Sequence, residues 1–103
     1  MLTNLFEKAI PHTSETFETL LHNDHLTIEA IISSDRPDPL LYDQDHDEAV
    51  LLLEGSAHLW IEGRKIVLKP GDFLHIPAHT RHKVLSTDRG TRWLAIHTRE
   101  PLC

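Results

Sequence analysis

Cysteine is almost missing from this chain: the one present, Cys103, is the last residue. No disulfide can close within the chain, and a covalent role would rest on a frayed terminus, so none is expected. Basic residues are in the minority, ten Lys and Arg against sixteen Asp and Glu, for a net charge of −6. A nucleic-acid partner is not expected, because phosphate backbones are held by clustered Lys and Arg, and here these are scattered among acids. Long apolar runs are lacking too. The longest, Ala49 to Leu53, falls far short of the ~20 residues that cross a bilayer. The N-terminus has no basic-then-apolar-then-small layout of a secretory signal, so a cytoplasmic protein without a membrane partner is expected. There is no G-x-S-x-G turn, no P-loop and no dinucleotide fingerprint, since the four glycines all sit at turns.

What is present reads as one soluble domain over residues 1–103, with 40% hydrophobic and 25% charged content, enough for a single core. Residues Leu2 to Ile10 can form one or two helical turns stopped by Pro11, leaving Leu5, Phe6 and Ile10 to pack on the body of the protein. From there the apolar period is two. Phe17, Thr19 and Leu21 alternate with polar neighbours, and Leu26, Ile28, Ala30 and Ile32 share one face; both stretches read as half-buried strands. Prolines and aspartates in Ser33 to Pro39 make a loop. Ala49 to Leu53 suits a strand covered on both faces, and Gly55 permits a tight reversal. Ala57, Leu59 and Ile61 then point inward and His58 and Trp60 outward, with Ile66 and Leu68 resuming the inward face. Phe73 to Pro77, Arg81 to Ser86 and Thr91 to Thr98 complete an all-β antiparallel sandwich or barrel with a short N-terminal helical segment.

Two spacings carry a family resemblance. Six residues separate Glu48 from Gly55; five separate Gly71 from Pro77 and four separate Pro77 from His82; fifteen, Ser56 to Pro70, lie between the two stretches. This resembles the two motifs of the cupin superfamily, E-x6-G and G-x5-P-x-G-x2-H, over a motif region of about 40–97. The resemblance implies an RmlC-like jelly roll, a double-stranded β-helix barrel in a small single-domain cupin. It departs from the pattern where the family's first motif has His-x-His: those positions hold Tyr42 and Gln44, or Leu41 and Asp43. The inner glycine of the second motif is His79, and the asparagine beyond it is Ser86. Glu48 and His82 alone carry over directly as metal-ligand positions.

Side chains two apart on a strand share a face, so a Glu48 that faces the interior takes His46 and Gln44 with it. His46, Glu48 and His82 then make a two-histidine, one-carboxylate set, with Gln44 in support, suited to a divalent iron, nickel, manganese or zinc ion. The bland alternatives are a solvated acidic loop around His46, an ion pair between Glu48 and Arg92, and a core His82 satisfied by a backbone carbonyl. Tyr42 can donate a hydrogen bond or a proton to a substrate, or simply pack at the rim. His79 is expected near the barrel mouth, His75 outward, His97 either in the cavity or the core, and His12, His22, His25 and His58 on the surface. Leu52, Leu59, Ile61, Leu68 and Leu74 are expected to wall the pocket.

Three functions fit these residues. The first is a metal-dependent cupin acting, in the manner of dioxygenases or isomerases, on a small polar organic molecule. The second is a non-enzymatic, metal-free cupin that binds or senses a small molecule. The third is metal-free isomerase chemistry with His82 and Tyr42 as acid and base. Outward-facing Trp60 calls for a cover, and cupins commonly dimerise, so a homodimer is expected. Sedimentation over a range of concentrations should return twice the chain mass; a concentration-independent monomer would overturn this.

Overall fold

The structure is a computed structural model that describes residues 2–102; Cys103 lies outside them. Eight strands follow one 3-10 turn, η1 at Leu5–Glu7: β1 Glu15–His22, β2 Leu26–Ser33, β3 Asp47–Glu54, β4 Ala57–Ile61, β5 Arg64–Leu68, β6 Phe73–Ile76, β7 His82–Thr87 and β8 Thr91–Thr98. They form two antiparallel sheets, ordered β1-β2-β8-β3-β6 and β5-β4-β7, the jelly-roll arrangement. The N-terminal helical segment is a single turn: Asn4 caps it, its Oδ1 accepting from the Phe6 amide at 2.8 Å, and with Leu5 only half-buried and Phe6 exposed there is little packing to extend it. Among the described residues no helix is long and apolar enough to cross a membrane.

The core lies where the apolar faces of the two sheets meet. Ile31, Val50, Leu52, Trp93 and Ala95 come from the larger sheet and Ala57, Leu59 and Leu68 from the smaller, with Ile61, Ile66, Leu74 and Val84 packed against them. Directly opposed residues of an antiparallel pair share a face, and the register matches Ile31 with Trp93 and Trp93 with Leu52. The strand readings from Ala49 to Leu68 therefore agree with the fold, Trp60 included, which lies half-buried under the Lys83 ammonium, 5.9 Å from its ring centre.

The N-terminal third departs from expectation in two places. Phe17 and Leu21 are largely exposed, because β1 is an edge strand with a register shift between Thr19 and Leu21. On β2, Ile31 rather than Ile32 joins the core, and yet Ala30 and Ile32 are also buried. The outer face there is roofed by the N-terminal segment. Arg92 Nη1, opposite Ile32, donates to the carbonyls of Leu5 and Lys8 at 2.6 and 2.9 Å, and its Nε donates to Glu54. Arg92 is thus occupied away from Glu48. Asp47, on the outer face beside His75, accepts from the amides of Leu102 and Ala78 at 2.9 and 2.8 Å, and these bonds hold its carboxyl below the usual range.

Gly55 closes the β3–β4 turn at φ +87, and a Cβ there would stand 2.8 Å from the Thr91 Cα. Gly63 has nearly the same φ, +86, but open space around it. Gly63→Ala should therefore cost about 1 to 2 kcal/mol, the left-handed penalty alone, and Gly55→Ala clearly more, because backbone must move. Chemical denaturation of both variants tests this; equal losses would refute the close approach.

Candidate functional site

Between the sheets lies a cavity of about 110 Å³. Its apolar walls are Phe17, Ile31, Val50, Leu59, Ile76, Val84 and Trp93, and its polar ones Glu29, Tyr42, Gln44, Glu48, His97 and Glu15. Of the expected walls only Leu59 lines it. Leu52 and Leu68 are core, and Ile61 and Leu74 pack against that core instead.

Glu48 is the hub. On β3 it stands opposite His97 of β8 and Ile76 of β6, which turns it to the cavity face. Its Oε1 lies 3.8 Å from His82 Nε2 and its Oε2 3.7 Å from His97 Nε2. Both separations exceed a hydrogen bond, so the carboxylate is flanked by two imidazoles without being tied to either. Burial pushes its carboxyl above the usual range, and His97 and His82 pull the other way.

His82 reaches the same spot from the smaller sheet, opposite Ile61 of β4. Its backbone exchanges two hydrogen bonds with Tyr42, at 2.8 and 3.0 Å, and the Tyr42 ring stacks on the imidazole with centroids 5.5 Å apart. Its Nδ1 lies 2.8 Å from the Thr80 carbonyl. A carbonyl only accepts, so Nδ1 carries a proton and Nε2 is the nitrogen turned toward Glu48. The backbone carbonyl and the site position thus belong to one histidine. Burial, then Glu15, Asp38 and Glu48, raise the Tyr42 hydroxyl above its ordinary value.

His97 lines the cavity. Its Nε2 meets Glu29 Oε1 at 2.8 Å, its Nδ1 meets His46 Nε2 at 2.9 Å, and His46 Nδ1 lies 3.3 Å from Asp45. Carboxylates at both ends of this row demand protons on the outer nitrogens, and the shared bond between the rings needs one more. The row is complete when one of the two rings is an imidazolium. The hydrogen bond from His97 to Glu29, opposed by burial and aided by Glu48, raises its pKa in agreement.

His46 stands apart from Glu48. Asp45 and His46 form a bend ahead of β3, so strand alternation does not extend back to them, and the His46 ring lies beyond His97. Gln44 does reach the cavity, and its buried Oε1 has no hydrogen-bond partner. His79 lies exposed at the rim with φ +61, the left-handed backbone that explains a glycine preference; its amide donates to the Gln44 carbonyl at 2.6 Å. His75 lies on the outer side against Asp47, and His12, His22, His25 and His58 are exposed.

Glu15 and Glu29 were not singled out in the sequence. Glu29 interrupts an apolar strand on the face of Ile31, which was a signal; Glu15, at a strand end, offered none. Burial raises the Glu15 carboxyl, and the Ser33 hydroxyl donates to it at 2.6 Å.

A family model described as a cupin domain matches residues 35–97, more than half of the chain. The chain belongs to the cupin family. This cupin is 33% identical over 92% of its length to the quercetin 2,3-dioxygenase of Bacillus subtilis. It is 34% identical over 58% of its length to the 3-hydroxyanthranilate 3,4-dioxygenase of Burkholderia lata. It spans only 33% and 37% of the length of those two relatives. Among solved structures, a candidate mannose-6-phosphate isomerase from Ralstonia eutropha shares 40% identity with a TM-score of 0.88, covering 97% of this chain and 99% of that one. A cupin superfamily protein from Desulfitobacterium hafniense shares the fold, with 22% identity, a TM-score of 0.84 and coverage of 96% and 90%.

The cupin resemblance implies a divalent metal, and the side chains permit a limited test. The expected trio of His46, Glu48 and His82 is not gathered, since His46 is engaged with His97 and His97 with Glu29. Among the described residues no group of three or more His, Cys, Asp or Glu side chains is placed to hold a metal ion. The donors left free at the cavity are His82 Nε2, the Glu48 carboxylate and the orphaned Gln44 Oε1. That is one imidazole and two oxygens, a set that fits a hard divalent cation retaining water.

The His97 shift has a sign. A pKa raised in the folded protein stabilises it below the ordinary imidazole value of about 6.5, and that stabilisation is lost as pH rises through the raised value. Thermal melts should show the melting temperature falling as pH rises from about 6.5 through the raised value and levelling off beyond it, with the slope flattened in Glu29→Gln. An identical slope in that variant would remove the Glu29 pairing as its cause.

Proposed function

We propose that this cupin is an enzyme that moves a proton on a small polar organic molecule bound in the cavity, an isomerase-type reaction. The observation that carries the reading is the buried Glu48 carboxylate standing between two imidazole nitrogens at 3.8 and 3.7 Å without a direct hydrogen bond to either. A base lifted above the ordinary carboxylate range abstracts protons more strongly near neutral pH. Glu48 takes a proton from a hydroxyl-bearing carbon beside a carbonyl, and the carbonyl oxygen receives one from the Tyr42 hydroxyl. The enediol then returns the proton of its other hydroxyl to Tyr42 while Glu48 delivers its own to the former carbonyl carbon, so the carbonyl moves by one carbon and no oxidant is needed. His82, fixed by Thr80 and stacked on Tyr42, orients the group that faces Glu48. The 40% identical neighbour described as a candidate isomerase supports this reading.

A second reading is favoured by the unpartnered Gln44 Oε1: a divalent ion held by Gln44, Glu48 and His82. Such an ion would polarise a carbonyl or carboxylate oxygen of the bound molecule, and the names of the two dioxygenase relatives accord with it.

Incubation in D2O with a panel of ketoses and 2-oxo acids, followed by proton NMR, tests the first reading. Exchange at carbon should appear with one class and fall about 100-fold or more in Glu48→Gln. No exchange with any compound would leave a non-enzymatic binding cupin. Elemental analysis of wild type, Glu48→Ala and His82→Ala tests the second: metal retained equally by all three would refute that ligand set.

A further inference from the structure

The face that carries Glu48 does not end at the cavity. Cross-strand pairing lines up His22, Thr27, His97 and Glu48 in one row over β1, β2, β8 and β3. Next to this row the molecule opens into a larger cleft of about 480 Å³, and His97 is a wall of both spaces. The cleft is close to neutral in an acidic chain. Against a net charge of −6, its walls hold Arg99, His22, His25 and His46 with a single carboxylate, Asp45. Asp45 is itself matched to His46 at 3.3 Å.

Two of its side chains are oriented by hydrogen bonds of their own. His22 Nδ1 is taken up by the Thr27 hydroxyl at 2.7 Å, leaving Nε2 for another partner. The Asn23 side-chain carbonyl accepts from the amides of His25 and Leu26 at 2.8 and 3.0 Å, leaving its NH2 group to donate elsewhere. The Arg99 amide donates to the His25 carbonyl at 3.0 Å, which ties the Arg99 backbone to the same turn, and its side chain lines the cleft. A guanidinium with several N–H groups around it is the donor pattern that holds a planar or tetrahedral oxyanion.

We infer that this outer cleft is an oxyanion subsite, formed by Arg99, His22, His25 and Asn23, for a phosphate or carboxylate group. Resting on the proposed reaction, the anion belongs to the same small molecule whose reacting carbon enters the cavity past His97. The substrate class is then a small carbonyl compound with an anionic head.

Inorganic phosphate and acetate, titrated separately into the full chain, test the subsite without the rest of a substrate. Imidazole NMR signals of His22 and His25 should move saturably with at least one anion while those of His12 and His58 stay still; which anion binds identifies the head group. Calorimetry should show the affinity falling about tenfold or more in Arg99→Ala, and falling also in His25→Ala. Non-saturating shifts of all four histidines, or unchanged affinity in Arg99→Ala, would overturn the subsite. Saturable binding that survives in Glu48→Gln, with no proton exchange on any carbonyl compound, would keep the subsite and remove the reaction. Exchange without anion binding would do the reverse.

Discussion

The two-sided pairing of β8 is the constraint on which this molecule depends. Held between β2 and β3, β8 places Trp93 against Ile31 and Leu52, Ala95 against Glu29 and Val50, and His97 against Thr27 and Glu48. The inner face therefore grades along one direction, from an apolar floor through a mixed middle to a polar rim. A slip of one residue would turn Trp93 and His97 outward together. Core and site stand or fall with the same ladder, because in a sheet the side chains that pack and those that bind alternate on one backbone.

The electrostatics follow from that placement. Glu48 is set at a depth where water no longer solvates it well, and burial works against its charge. Two histidines moderate the penalty without removing it, since neither comes within hydrogen-bonding distance. Further out, His97 is secured between Glu29 and His46, so one imidazole faces the inner carboxylate while its other nitrogen looks toward the outer cleft. Such a polar centre, beside a buried Gln44 Oε1 that itself lacks a partner, is common at binding and catalytic pockets and rare in a purely structural core.

Legibility divided along the range of the interactions. The turn at Gly55, the alternation of Ala57, Leu59 and Ile61, and the doubly covered β3 are local matters of period and conformation, and they read correctly. The spacing from Glu48 to His82 was legible through the family motifs. Phe17 and Leu21 misled, because an alternating strand looks the same whether its apolar face is covered or lies at a sheet edge. His46 misled for a related reason: period two holds only within a strand, and the strand begins at Asp47.

What the sequence by itself determined was the class of fold, the two motif residues Glu48 and His82, and the sign of the overall charge, each written in neighbouring residues or in a fixed spacing. What the tertiary structure decided was the company those residues keep. His97 and Glu29, sixty-eight residues apart, meet because β2 and β8 pair side by side. Glu15 reaches the cavity from the strand end opposite Ser33, at the other end of the sheet from His97, and Gln44 arrives there without a partner. Such contacts depend on strand order and register, and no local periodicity encodes which distant strand will lie alongside.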